Sequence, residues 1–321
     1  MLQTIFIILL LLINVPFLLA QSLNFIPEGK FFFNYELNQS SSNSIYNSAR
    51  SEDSILESKL SKEGLNSNAV SGDIEYESLN HLFQLQYGLG DSYNLAFLVP
   101  YLSKKRSSSL EDKQGGNQSF LDNYQSASAS GIGDYEIQII KRLNYTDEHD
   151  FQMGLGYNHN NAAFNYDKND KLALGSGTSE FFWFLKWTIF SIDSNLKTDL
   201  RYKEIYTIFN KVIDENGDTS ALKRKNSRVT SLFVSSHPDD QYYGAGIEAV
   251  DQAATNIGGS NLSDGYVHYS YKLFYGLGNL VELESGPVET PWEGELFYQS
   301  VFYGLNANKT TTLGIGATFY F

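Results

Sequence analysis

The chain contains no cysteine in its 321 residues. That excludes a disulfide framework, a thiolate metal site and a lipoprotein anchor. Proline is scarce, at six residues, and positive charge is outweighed, with 23 Lys and Arg against 37 Asp and Glu and a formal net charge of -14. So acidic a chain lacks the cations that neutralise phosphates, and no nucleic-acid partner is expected. Long apolar runs are missing as well, apart from Ile5 to Leu19. Nothing later approaches the roughly 18 apolar residues a spanning helix needs, which excludes a helical membrane protein.

The early run is interrupted only by Asn14 and ends in Leu18-Leu19-Ala20 before Gln21. It reads as a secretory signal cleaved after Ala20, although no Lys or Arg precedes it. An uncleaved anchor is the other reading. From residue 21 to 321 no Pro-rich or Gly/Ser linker divides the chain, so a single domain is expected.

What the sequence has in quantity is 22 Tyr, 22 Phe and 26 Gly, a composition suited to strands, tight turns and aromatic girdles. Alternation with a period of two then decides the class. Tyr135, Ile137, Ile139, Lys141 and Leu143 share one face, and Asp134, Glu136, Gln138, Ile140 and Arg142 the other. Phe151, Met153, Leu155 and Tyr157 alternate with Gln152, Gly154, Gly156 and Asn158, the glycines relieving crowding inside the wall. Phe181, Trp183, Leu185, Trp187 and Ile189 continue the pattern. Leu196, Thr198, Leu200, Tyr202 and Tyr206 then leave Lys197, Asp199, Arg201 and Lys203 on the opposite face. A charge in hydrocarbon costs about 2–4 kcal/mol near the midplane, so these must face a lumen.

Similar runs occur at Phe31–Leu37, Leu79–Leu89, Tyr93–Tyr101, Val229–Phe233, Tyr243–Ala249, Val267–Tyr275, Leu296–Tyr303 and Thr311–Phe321. Short turns at Gly88–Ser92, Asn144–His149, Ser191–Asn195 and Ser236–Asp240 alternate with long polar loops at 39–71, 103–130, 159–177, 208–225 and 251–263. Short periplasmic turns and long external loops are the rhythm of an outer-membrane barrel. The expected fold is therefore all-β, a transmembrane antiparallel up-and-down barrel. Setting aside Leu280–Leu283, which runs into Pro287 and Pro291, leaves about twelve strands; about fourteen, with one hidden in 39–71, is the competing count. The final strand puts Leu313, Ile315, Ala317, Phe319 and Phe321 on one face, and an aromatic terminus of this kind resembles the signal read by the barrel-assembly machinery.

Tyr87-Gly88-Leu89-Gly90-Asp91, Asn94-Leu95, Val99-Pro100-Tyr101, Gly131-Ile132-Gly133-Asp134 and Lys141-Arg142-Leu143 together resemble the outer-membrane proteins named after the meta-pathway of phenol degradation. The resemblance spans about a quarter of the chain and implies a transporter or channel for small, often apolar, compounds. Relatives often carry Pro-Thr-Gly where this chain reads Asn158-His159-Asn160. The same residues have a plain structural use, with Gly88 and Gly90 permitting a tight turn, Pro100 blunting a strand end, and Gly131 and Gly133 letting a loop re-enter the wall.

The candidate site is lumenal: Glu180 and Lys186 beside Lys197, Asp199, Arg201 and Lys203, with Asp134, Glu136 and Arg142 as a second group. An ionic ring of this type sets which solutes pass. The plainer reading is that the charges pair and fill a narrow interior. Lys141, on the lipid face near a strand end, is expected to snorkel to the headgroups.

No metal or cofactor is expected. The histidines at 81, 149, 159, 237 and 268 lack ligand spacing, and Asp214-Glu215-Asn216-Gly217-Asp218 misplaces the glycine and lacks the closing acidic ligand of a calcium loop. No Ser and His pair stands out on the lipid face, and His237, Asp239 and Asp240 fall in a periplasmic turn, so no enzymatic activity is expected. Two functions stay open: a passage for small molecules, and a non-conducting barrel whose loops serve adhesion or envelope structure. Either would sit among outer-membrane lipid and lipopolysaccharide.

Overall fold

The computed structural model describes residues 25–321 except 161–171, 173, 175–177, 192–193, 209, 214–218, 224–225, 239–240, 255, 258–259, 262–264 and 279–290. The signal segment, Asp214–Asp218 and Leu280–Leu283 therefore lie outside the described residues. Twelve strands form the wall: β1 (Phe31–Ser42), β2 (Val70–Gly88), β3 (Tyr93–Asp112), β4 (Ala127–Ile132, continuing as Tyr135–Tyr145), β5 (His149–His159) and β6 (Glu180–Ser191), then β7 (Leu196–Thr207), β8 (Ser227–Ser236), β9 (Gln241–Gln252), β10 (Tyr266–Gly278), β11 (Trp292–Leu305) and β12 (Thr311–Tyr320).

Each wall strand pairs antiparallel with its sequence neighbours, and the ring closes where β1 meets β12, from Phe32 opposite Tyr320 to Ser41 opposite Thr311. Beyond that ladder Phe31 and Phe321 exchange backbone hydrogen bonds of 3.1 and 2.8 Å, and their rings stack at 4.9 Å. Closure follows from the solvent: hydrocarbon offers no partner to an exposed N–H or C=O, so an open edge cannot persist there. The outer face carries the apolar parity of each strand, with Phe97, Ile139, Leu155, Leu200, Ile247, Leu296 and Ile315 among its exposed side chains. Tyr87, Tyr93, Trp187, Tyr275, Trp292 and Phe319 gather at the end with the short turns, where amphipathic rings suit the interface.

Two of the expected loops are shorter than the sequence suggests. β2 starts at Val70 and β3 runs to Asp112, paired continuously from Val70 opposite Asp112 to Gly88 opposite Asn94. At about 3.3 Å per residue the hairpin rises well past the nine to eleven residues that cross a bilayer. Its outer half lies beyond the lipid, one face in water and the other partly covered by two short helices, so Ser, Lys and Glu interrupt the alternation and the segment reads as loop. Helices α1 (Ile55–Lys62) and α2 (Gln118–Tyr124) pack on this projection. Ile55, Leu56, Leu60, Val70, Ile74, Phe120 and Tyr124 make a small core of their own outside the membrane. Ser54 starts α1 with a reciprocal cap, its side chain accepting from the Glu57 N–H and its backbone N–H donating to the Glu57 carboxylate.

The segment Ser44–Tyr46, also in the first external loop, pairs with Glu52–Ser54 and with Ala307–Asn308 in the β11–β12 turn. Lys309 fastens it with a 2.8 Å contact to Glu52. Hydrogen bonds from Lys309 and Ser44 hold the Glu52 carboxyl below its usual range, and the same carboxylate raises the Lys309 ammonium.

Gly88 has a different role from the one expected. The turn is made by Gly90, whose φ is +139°, whereas a Cβ on Gly88 would lie 2.0 Å from the Pro27 carbonyl oxygen. The chain from Phe25 to Lys30 runs across the short-turn mouth, and Gly88 lets it seat. The Gly88 N–H donates to the Lys30 carbonyl at 2.9 Å, and the Gly29 N–H to the Gly88 carbonyl at 3.1 Å. Asn94, with its amide turned to satisfy both neighbours, accepts from the Ile26 N–H at 2.7 Å and donates to the Ile26 carbonyl at 3.0 Å. Ile26 packs on Tyr320 and Phe32, and Arg142 stacks over Phe25 at 4.4 Å.

Candidate functional site

Strand parity delivers the expected charges to the interior. Lys197, Asp199, Arg201 and Lys203 of β7 are in register with Phe190, Thr188, Lys186 and Phe184 of β6. Asp199 is the hub: it accepts from Thr188 Oγ1 at 2.6 Å and lies 3.3 Å from Lys197 and 3.8 Å from Lys186. Lys203 reaches past β6 and β5 to Glu136 on β4 at 3.2 Å, and Glu136 also accepts from Gln138. Glu180 accepts from Asn158 at 3.3 Å, nearer the long loops. The second expected group does not form one cluster. Arg142 grips buried Asp150 with Nε at 3.1 Å and Nη2 at 2.9 Å, Gln152 supports the same carboxylate at 2.8 Å, and Asp134 sits in the break between the two halves of β4.

That break gathers the other motif residues. The Gly133 N–H donates to the Pro100 carbonyl at 2.8 Å. A Cβ on Gly133 would meet the Pro100 ring at 3.0 Å and the Leu102 side chain at 3.1 Å, while one on Gly131 would meet Leu174 at 3.1 Å. The missing side chains of these glycines allow close contact with Pro100, Leu102 and Leu174.

A layer of aromatic rings lines the wall, which the sequence reading missed. Phe182 and Phe184 point inward from β6, and each lies where a Cβ on Gly156 or Gly154 would stand, 2.1 Å from the ring. Phe297 lies over Gly314 and Tyr242 over Gly276 in the same way, at 2.2 and 2.0 Å. A glycine on the adjacent strand lets a ring lie along the wall instead of across the lumen. Cations then cap the rings: Lys203 over Phe182 at 3.7 Å, Arg201 over Phe184 at 4.7 Å and Lys272 over Phe297 at 4.1 Å. The signal was faint because both parities of Phe181–Phe190 are mostly apolar; only the register against Gly154 and Gly156 exposes the inner set.

A cavity of about 310 Å³ opens along β7–β12 and β1. Its charged groups include Glu36, Lys272, Glu293 and Glu295, which the sequence reading did not single out. Lys272 pairs with Glu295 at 2.7 Å, Tyr320 donates to Glu293 at 2.9 Å and Asn38 to Glu36 at 2.8 Å. Among the described residues no cation lies within ion-pair distance of Glu36 or Glu293. Gly316, between Glu36 and Glu295 in the ladder, keeps this side clear, since a Cβ there would have no neighbour closer than 3.8 Å. His237 contacts Ser235 at 2.8 Å and stacks on Tyr242 at 5.4 Å; Asp239 and Asp240 lie outside the described residues. Alternation in His268, Ser270 and Lys272 would have indicated Lys272, whereas Glu293 and Glu295 follow Pro291 too closely to be read as strand. Among the described residues no three His, Asp or Glu converge to hold a metal.

No family model matches the chain, and no curated protein does. Among solved structures, the COG4313 outer membrane channel from Pseudomonas putida F1 superposes with a TM-score of 0.69 at 14% identity, over 94% of this chain and 100% of that one. A Pseudomonas aeruginosa FadL homologue scores 0.41 at 10% identity, over 91% and 89% of the two chains. The CymD monoaromatic hydrocarbon channel scores 0.41 at 9%, over 92% and 88%. The last two scores are too low to bear on the architecture. At 14% identity the first likeness is one of fold, and that fold is the twelve-stranded antiparallel barrel of an outer-membrane protein.

Proposed function

We propose that this chain is an outer-membrane channel for small molecules, exported by the segment 1–20 and forming one barrel from residue 21 onward. The observation that carries the reading is the polar cavity of about 310 Å³ inside a closed barrel. Carboxylates such as Glu36 and Glu293 line that space without a cation at ion-pair distance among the described residues, which suits a water-filled passage better than a packed scaffold, where buried charges are paired. The resemblance through Tyr87, Gly88, Pro100, Gly131, Gly133 and Asp134 favours an apolar or aromatic solute. The cavity adds a requirement of its own: Phe233 and Phe274 stand beside Lys197, Lys272 and Glu295, which suits a solute with an apolar body and a polar end. In this reading Phe319 and Phe321 present the last strand to the assembly machinery, and lipid and lipopolysaccharide cover the outer face.

A second reading, a non-conducting barrel serving adhesion or envelope structure, is favoured by the ion pairs on β4–β7 and by Phe25 and Ile26 in the mouth. Planar-bilayer recording separates the two. A channel gives steady current whose ion selectivity changes in Arg201→Glu, and a correctly inserted but silent barrel removes the open pore. Uptake of an aromatic compound into liposomes then tests passage without ionic current.

A further inference from the structure

Lumenal cations on β6 and β7 each contact a carboxylate, with one exception. Lys186 and Lys197 share Asp199, and Lys203 takes Glu136. Arg201 lies among them with no carboxylate at ion-pair distance among the described residues, and its Nε is buried without a hydrogen-bond partner. The opposing charges that act on it, Glu136 and Glu248, do so from further off. Glu136 is already engaged by Lys203 and Gln138. Glu248 is separated from it by a strand, since Arg201 faces Ser231 on β8 and Ser231 faces Glu248 on β9.

The guanidinium is nevertheless fixed. One face rests on the Phe184 ring at 4.7 Å, and Phe184 is laid against the wall by the missing Cβ of Gly154. A planar fork braced from behind, with its terminal nitrogens unclaimed, matches a carboxylate, which accepts two parallel hydrogen bonds from such a donor. Ser231, in register beside it on β8, presents only a short side chain on that face.

Resting on the channel reading above, we propose that Arg201 binds the carboxylate of a small organic anion inside the lumen, its Nη1 and Nη2 donating to the two oxygens. The ligand class is a monocarboxylate with an apolar body, for which benzoate is the probe. No bond is made or broken.

Isothermal titration of the detergent-solubilised full-length barrel with benzoate, and with uncharged benzamide, tests this. Benzoate should bind saturably, at least about tenfold tighter than benzamide, as expected when charge-assisted hydrogen bonds are lost. Arg201→Gln should weaken benzoate by a similar factor. Arg228→Gln, at the Arg that pairs with Glu204 on the outer face, should leave it unchanged. Should Arg201→Gln fail to fold, Arg201→Lys keeps the charge and loses the fork, and is expected to weaken binding by a smaller factor. Equal affinity in the Arg201 variant and the parent, or no saturable binding in the millimolar range, overturns the proposal. Planar-bilayer current is recorded on the same preparations. Current without Arg201-dependent benzoate binding defeats the anion site and leaves the channel, while binding without current or uptake does the reverse.

Discussion

The two sides of the lumen are built on opposite principles. From β4 to β7 the interior is filled: Asp150 holds Arg142, Asp199 holds two lysines, Glu136 holds Lys203, and Phe182 and Phe184 lie over glycines beneath the cations. From β8 round to β1 the rings still lie along the wall, but Glu36 and Glu293 face a cavity without a cationic partner among the described residues. The same amino-acid types thus make a scaffold on one side and a space on the other. The difference lies in the carboxylates: Asp150, Asp199 and Glu136 each hold a cation, whereas Glu36 and Glu293 have none at ion-pair distance among the described residues.

The largest expected effect breaks the filled side. Asp150→Ala leaves Arg142 without its carboxylate in a buried site, and should cost about 3–5 kcal/mol in urea unfolding from lipid vesicles. On the open side Glu295→Ala strands Lys272, whose side chain is as little exposed as that of Arg142 but lines the cavity with Glu36 and Glu293. The substitution should cost only about 1 kcal/mol or less, because water in the cavity and those carboxylates screen the remaining charge. Equal costs would mean that the two sides do not differ.

Glycines sharpen the contrast at a smaller scale. Gly154→Ala drives a methyl into the Phe184 ring and should cost about 1–3 kcal/mol by overpacking. Gly316→Ala meets nothing closer than 3.8 Å and should change stability by less than about 0.5 kcal/mol. Unfolding midpoints of the two variants, measured side by side, check this.

The smallest effect lies outside the membrane. Glu52 has a lowered carboxyl pKa in the folded state, so its contribution is complete above the ordinary carboxylate range and is lost as pH falls through the lowered value. Lys309, raised by the same contact, contributes fully below the ordinary lysine range and loses that contribution as pH climbs through its raised value. The tie between Ser44–Tyr46 and the β11–β12 turn should therefore hold at neutral pH and loosen in acid. Proteolysis of the first external loop at pH 7 and pH 3 reads it, and Glu52→Gln should show the acid pattern at both.

Much of this was visible in the sequence because lipid imposes it. Strict alternation in Tyr135–Leu143 and Leu196–Tyr206 follows from one face meeting hydrocarbon, and the pairing of Phe31 with Phe321 meets the demand that the sheet close. Twelve wall strands follow from the same rhythm. Where lipid stops, so does the signal: Val70–Ser78 and Ser103–Asp112 are strand, yet their pattern is that of a Ser-rich loop. The candidate site was half legible. Parity gave Lys197, Asp199, Arg201 and Lys203 their direction, but which of them is paired depends on reach across strands, as from Lys203 to Glu136, and no local spacing reveals that. Gly88 shows the same limit, since its use depends on Pro27, about sixty residues away in the chain and adjacent only once the mouth has formed.

Because the chain has no cysteine of its own, a single engineered thiol reports solvent access without background. The most direct test of a lumen open on one side and filled on the other places cysteine at Gly316 and, separately, at Gln152, and follows bilayer current while a small charged thiol reagent is added. The account predicts rapid modification and a stepwise fall in current for Gly316→Cys, with Gln152→Cys protected and its current steady. Protection at Gly316, or equal reaction at both positions, would contradict it.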